Sequence, residues 1–123
     1  MEAMLDSSFI VSCMLARIDF LSELEEKGFK VVVPREVIQE LKDLKLKKGQ
    51  SHDVRVAIDA VIDMFEQRKI KKVGFGTGRV DNELIRKGKQ GIYIGTLDKA
   101  ILREVPNKIV ILSAKKGIGV ERD

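Results

Sequence analysis

The sequence predicts a three-layer α/β sandwich built on a mostly parallel sheet of four or five strands. Three observations predict it. Residues 29–33, 92–96 and 109–112 are short apolar runs rich in Val and Ile, the pattern of strands buried on both faces. The segments between them carry apolar residues at three- and four-residue steps, the pattern of amphipathic helices. Parallel strands need a crossover between them, so strands alternating with helices give a parallel sheet covered on both sides. A chain of 123 residues fits one domain over 1–123, since domains commonly run to about 100–200 residues.

The elements follow in order. Residues 3–5 are a short apolar start, read as the first strand and broken by Asp6-Ser7-Ser8. Residues 9–27 turn helical, with Leu15, Ile18, Leu21 and Leu24 as the apolar face and Gly28 as a natural stop. After the strand 29–33, Pro34 stands where a helix favours its first residue. The helix continues over 36–44, with Val37, Ile38, Leu41 and Leu44 as its stripe. Residues 45–50 form a basic loop, and Ser51 is placed to cap a helix whose apolar face is Ala57, Ile58, Val61, Ile62 and Phe65. Residues 70–75 are a weak strand, 76–78 a loop, and 80–87 a short helix that Gly88 would end. The strand 92–96 leads to a helix over 97–105 stopped by Pro106, and 109–112 is the last strand. The basic, glycine-containing tail 114–123 is expected to be flexible.

Composition excludes several classes. Hydrophobic residues make up 44% of the chain, too many for a disordered segment. No apolar run approaches the ~18 residues of a membrane span, so no membrane association is expected. The opening MEAMLDSSFI lacks a basic n-region and is not read as a secretory signal. Cys13 is the one cysteine, which excludes an internal disulfide and a cysteine-rich zinc site, and a reducing cytoplasm is the expected location. The net charge of +4 permits a polyanionic partner without requiring one. Aromatics are scarce, so a nucleic acid would be held by its backbone rather than by base stacking.

Ligands of open parallel sheets collect beyond the carboxyl ends of the strands. Asp6 follows the first strand directly, and Asp98 follows 92–96 with one residue between. Each could also be an ordinary helix cap. On the helix over 36–44, Glu40 borders the apolar stripe while Glu36 and Asp43 point further out. On the helix over 80–87, Asp81 projects between Leu84 and Ile85 on the inward face, and Asn82 and Glu83 turn away. A carboxylate there must be paired, protonated or bound to a cation. An Arg or Lys partner would serve. Four converging acids would also suit a hard divalent ion such as Mg²⁺ or Mn²⁺, which takes carboxylate oxygens and waters.

These residues resemble a family. Leu5-Asp6-Ser7-Ser8-Phe9-Ile10 is similar to the opening of PIN-domain ribonucleases, usually Leu-Asp-Thr-Asn-Phe followed by an apolar residue. Val33-Pro34-Arg35-Glu36-Val37-Ile38-Gln39-Glu40-Leu41 resembles the second block, which ends in Glu-Leu. Val80-Asp81-Asn82 resembles the third, commonly Ala-Asp-Asp, and Thr96-Leu97-Asp98-Lys99 the fourth. The blocks stand in the family's order over nearly the whole chain. Ser7-Ser8 departs from Thr-Asn, and Asn82 from the second Asp of its pair.

The resemblance implies that Asp6, Glu40, Asp81 and Asp98 form an acidic metal cluster for Mg²⁺ or Mn²⁺. It implies that Ser8, Thr96 and Asn82 lie behind it, orienting the carboxylates or a bound water. The implied reaction is metal-dependent hydrolysis of RNA to a 5′-phosphate and a 3′-hydroxyl, in RNA processing or turnover. Arg79 and Lys99 flank these positions and are candidates for phosphate contact, alongside their plain reading as solvated surface charge. The ending 106–120 is closer to the ribosomal-RNA-processing branch and its archaeal relatives than to the toxin branch of toxin–antitoxin pairs. A homodimer, or a protein partner such as a ribosome-assembly factor or an antitoxin, is expected on the same ground. One alternative is a PIN-fold RNA- or protein-binding module with weak or lost nuclease activity. Another is a phosphohydrolase or receiver-like domain, although receivers pair two acids after the first strand and only Asp6 stands here. Gly74-Phe75-Gly76-Thr77-Gly78 lacks the Gly-Lys-Ser/Thr ending of a phosphate-binding loop. His52 and Cys13 have no companions that would make them a ligand or a nucleophile, and Lys42–Lys48 reads as a solvated helix end.

Overall fold

The computed structural model describes residues 1–76 and 78–123. Strand β1 (Glu2–Leu5) alternates its side chains between two apolar layers. Ala3 and Leu5 pack with helices α1 (Ser7–Leu15), α2 (Phe20–Glu26), α3 (Arg35–Leu46) and α4 (His52–Gln67). Met4 packs on the opposite side with Leu84 of α5 (Val80–Lys89) and Ile101 of α6 (Lys99–Leu102). Strand β2 (Lys30–Pro34) does the same, with Val31 and Val33 on the first side and Val32 on the second. Helices therefore cover both faces of the sheet, and the three layers follow directly from the period of two along each strand.

The remaining strands are β3 (Lys71–Val73), β4 (Tyr93–Gly95), β5 (Asn107–Leu112) and β6 (Gly117–Arg122), in the order β3-β2-β1-β4-β5-β6. All neighbouring pairs are parallel except β5 with β6. The strand order reverses direction between β1 and β4, where Leu5 lies opposite Gly95. Such a switch point opens a crevice at the carboxyl ends of the two strands. The residues that follow, Asp6 and Thr96, stand at its mouth.

The sheet has six strands rather than four or five, because the segment expected to be flexible contains β6. Lys116 turns the chain at φ +46°, a left-handed turn that no Gly or Asn advertises, and Ile118 is buried against the core. The carboxylate of Glu23 on α2 accepts the Ile118 N–H at 2.9 Å, tying the strand to the helix layer.

Three further expectations are corrected. The helical stretch 9–27 is two helices, parted at Arg17 (φ +59°) and restarted by Asp19, whose side chain accepts the Ser22 N–H. Leu15 falls at that break and is 48% exposed instead of facing the core. Gly88 does not end α5 but lies buried inside it, where a Cβ would come within 2.9 Å of Val105 Cβ and 3.1 Å of Ile94 Cγ1. Its missing side chain lets α5 close on β4 and the 103–106 turn. The helix expected over 97–105 shortens to α6. The expected loop 76–78 includes Thr77, which lies outside the described residues.

Candidate active site

The site is built outward from Asp6. Its N–H donates to the Gly95 carbonyl at 2.8 Å, which continues the β1–β4 ladder one step beyond the strands. Its backbone is extended, so its side chain can cap α1, and Oδ1 accepts the Ser7 N–H at 2.8 Å. Oδ2 accepts the hydroxyl of Thr96 at 2.9 Å. Both oxygens are thus committed within the fold, in a residue that is only 8% exposed. Gly95 permits the close approach, since a Cβ there would sit 2.8 Å from Leu5 Cδ2.

Thr96 is a relay, 3% exposed. Its Oγ1 donates to Asp6 and accepts the Asp98 N–H at 3.1 Å. Asp98 caps α6 by accepting the Ala100 N–H at 2.9 Å and is itself exposed. A single chain of hydrogen bonds therefore ties the Asp6 carboxylate to the backbone of Asp98 across the switch point. Ser8 reinforces it, accepting the Leu97 N–H at 3.1 Å. Ser8 thereby holds the backbone of the β4–α6 turn, and among the described residues it makes no hydrogen bond to a carboxylate.

Glu40 and Asp81 reach the same region from helices on opposite faces. Burial pushes the Asp6 carboxyl above its ordinary range, against the Thr96 hydroxyl and Ser7 N–H, and the charges of Asp81 and Asp98 add to the rise. Glu40 is exposed as a residue. Desolvation of its carboxyl nevertheless raises its pKa, followed by the charges of Asp6, Asp81 and Asp43. The four sequence-identified acids therefore share one electrostatic neighbourhood. Asp81 is exposed, not set on an apolar face between Leu84 and Ile85. It stands in the first turn of α5, where the helix dipole favours an acid. Asn82 beside it is exposed as well.

Arg79 immediately precedes α5, and Lys99 is the first residue of α6. Both are exposed and neither is in an ion pair among the described residues. One positioning residue was not legible in the sequence. Both carboxylate oxygens of Glu36 accept the Phe75 N–H, at 3.1 and 3.0 Å, and so fasten the segment that leads from β3 towards Arg79 and Asp81. Its helical phase only places it away from the core, and a contact 39 residues distant in sequence leaves no periodic trace.

Among the described residues, no group of three or more His, Cys, Asp or Glu side chains is arranged to hold a metal. The donors are nevertheless all hard carboxylate oxygens, and their mutual repulsion is the kind a cation relieves. They fit an ion held through one or two carboxylates and otherwise hydrated, as Mg²⁺ commonly is, and not one held in a closed protein cage.

An α/β fold with acids at its switch point is compatible with a nuclease-type architecture, and also with receiver-like domains that gather acids at strand ends. The model of one family, described as the PIN domain, matches residues 4–113, and the chain belongs to that family. The resemblance seen in the sequence motifs is thereby established at the level of the family. No curated protein sequence matches the chain. Among solved structures, the chain is similar to the PIN domain endonuclease Utp24, at 19% identity and a TM-score of 0.72, covering 99% of this chain and 92% of that one. It is similar to a domain of a functionally unknown protein from Methanocaldococcus jannaschii DSM 2661, at 15% identity and a TM-score of 0.50, covering 83% and 81%. It also matches the PIN domain of human SMG5, at 17% identity and a TM-score of 0.47, covering 81% and 85%. Likeness at these identities concerns the fold alone.

Proposed function

We propose that this protein is a divalent-metal-dependent endoribonuclease that hydrolyses RNA phosphodiester bonds, in RNA processing or turnover. The observation that carries the reading is the state of Asp6. A carboxylate that burial desolvates, and whose pKa the charges of Asp81 and Asp98 raise further, costs more stability than its cap of α1 and its bond to Thr96 alone require. Its place at the switch point and the membership of the PIN family support a role as a metal ligand. The fold shared with an endonuclease supports cleavage within the RNA rather than from its ends.

Asp6, Glu40, Asp81 and Asp98 would hold Mg²⁺ or Mn²⁺. When bound, the ion supplies charge neutralisation at the phosphate and a water acidified towards neutral pH. The chain's own residues supply placement. Thr96 holds Asp6 and the Asp98 backbone in one geometry, Ser8 fixes the turn that carries Asp98, and Glu36 steadies the approach to Asp81. Arg79 and Lys99 would offset the repulsion between the acids and a polyanion.

A second reading is a PIN-fold binding module, favoured by the lack of a preassembled three-ligand group among the described residues. Cleavage of structured and single-stranded RNA with Mn²⁺, Mg²⁺ or EDTA separates the two, with Asp98→Asn run beside the wild type. Asn can cap α6 as Asp does, so the variant should melt as the wild type does. Metal-dependent cleavage lost in the folded variant supports the nuclease. RNA binding without cleavage under either metal supports the module.

A further inference from the structure

Three shallow grooves lie side by side along α3, the end of α4 and β3, and they share walls. One, of about 430 Å³, is lined by Arg35, Lys69 and Lys72. The next, of about 280 Å³, is lined by Arg35, Lys42 and Lys72. The smallest, of about 30 Å³, lies between Lys42 and Lys72. All four cations are exposed, and among the described residues the one acid lining these grooves is Glu66. The face thus holds an excess of three positive charges in a chain whose total is +4.

Among the described residues none of the four is in an ion pair, whereas Lys45, Arg68, Lys71, Arg86 and Lys89 all are. Lysines do blunt exposed sheet edges against pairing, and Lys71 and Lys72 on β3 serve that purpose. That does not account for Arg35 and Lys42 on α3, or for Lys69 beyond the end of α4. Lys42 follows Arg35 by seven residues, which at about 100° per residue returns it to the same helix face. Glu40 follows Arg35 by five residues, about 140° round the helix. The grooves and the acids therefore flank one helix, a width of about 10–12 Å apart. The Arg35 guanidinium also lies beside Gly74, at the carboxyl edge of the sheet.

We propose that this face is a phosphate-tracking surface for single-stranded RNA. Arg35, Lys42, Lys69 and Lys72 contact backbone phosphates of the strand whose scissile bond lies at the acids, on the far side of α3. The assignment rests on the ribonuclease reading. RNA is favoured over an acidic protein segment because the grooves lack an exposed aromatic anchor. Phe65, which lines two of them, is only 2% exposed. The same lack makes the contact one to the backbone, without sequence preference.

The test is anisotropy of a labelled oligouridine, and in parallel of a labelled oligoglutamate, in EDTA over a salt series. It compares the wild type with Arg35→Gln/Lys42→Gln/Lys72→Gln and with Lys27→Gln/Lys30→Gln/Lys115→Gln. The second variant removes the same charge from exposed positions elsewhere. A thermal melt accompanies each. Each lost contact should lower the slope of log affinity against log salt by about 0.7, about 2 for the groove variant, with affinity down on the order of 100-fold at 0.1 M salt. The control variant should keep most of the wild-type slope. Equal losses in both variants, or an unchanged slope in the groove variant, overturn the proposal. Loss of oligoglutamate binding with RNA binding intact also overturns it, in favour of an acidic protein segment. A wild type that cleaves RNA while the groove variant binds normally overturns the surface alone. A wild type that neither binds nor cleaves RNA overturns the nuclease reading with it.

Discussion

Replacing Thr96 with Val keeps the shape of a side chain that is 3% exposed but deletes a hydroxyl making two hydrogen bonds. Asp6 Oδ2 loses its donor and the Asp98 N–H loses its acceptor. An unsatisfied buried polar group costs about 1–3 kcal/mol, more when charged, while the partly buried Asp98 N–H can recover some of that from water. About 3 kcal/mol is therefore expected at neutral pH without divalent metal, and at about 4 °C per kcal/mol for this chain length the melting point falls by about 12 °C.

The loss depends on pH. In the wild type, burial already raises the Asp6 carboxyl above its ordinary 3.8. A raised acid contributes its full stability below the unfolded pKa and loses it as pH rises through the folded one. The Thr96 hydroxyl opposes that rise. Removing it steepens the decline, so the deficit should grow from about pH 4 upward and shrink on acidification. Thermal melts in EDTA across pH, with Thr96→Ser as the hydroxyl-retaining control and Asp6→Asn as the uncharged background, read the effect. Thr96→Ser should cost about 1 kcal/mol for its lost methyl. A Thr96→Val deficit equal to that of Thr96→Ser, or unchanged by pH and by Asp6→Asn, would refute the relay.

Three other outcomes are expected. Gly88→Ala should lower the urea midpoint by the equivalent of up to about 2 kcal/mol, because an overpacking cost of about 1–3 kcal/mol against Val105 and Ile94 outweighs a helix-propensity gain of about 1 kcal/mol; a stabilised variant would contradict the close packing. Cys13 is fully buried and its thiol is pushed up to about 12, chiefly by burial and then by Glu23, so at pH 8 it should alkylate no faster than the protein unfolds; rapid labelling of the folded protein would contradict this. Glu36→Ala should remove hydrogen-exchange protection at the Phe75 N–H while leaving β1 and β4 protected; unchanged protection at Phe75 would show that the carboxylate does not hold that segment.

The parts of the fold that could be read from the sequence are those in which one local pattern decides the outcome. The Val-rich run ending β2 and the stripe of α4 are buried as their periods demand, and Ser51 caps α4 by accepting the Val54 N–H at 3.2 Å. Asp6, Asp81 and Asp98 could be singled out because each sits at an element end, whereas Glu40, in the middle of α3, could be singled out only by its place beside the apolar stripe and by the family motif. What stayed hidden depends on contacts distant in sequence. Gly88 reads as a helix stop until Val105 is known to press on it. β6 reads as a loose tail until β5 supplies its partner strand. Asp81 reads as facing inward because a helical projection does not show that this position of α5 lies exposed to solvent.

The most direct test of the central claim is the chemistry of the cut ends. A labelled RNA is incubated with wild-type protein and Mn²⁺, with Asp6→Asn as the matched control, and the product termini are mapped. Hydrolysis at the acids predicts 5′-phosphate and 3′-hydroxyl ends, formed only with the metal and only by the wild type. Ends bearing a 2′,3′-cyclic phosphate, or the same cleavage in EDTA or by Asp6→Asn, would contradict the account, because the scission would then not depend on the acidic site.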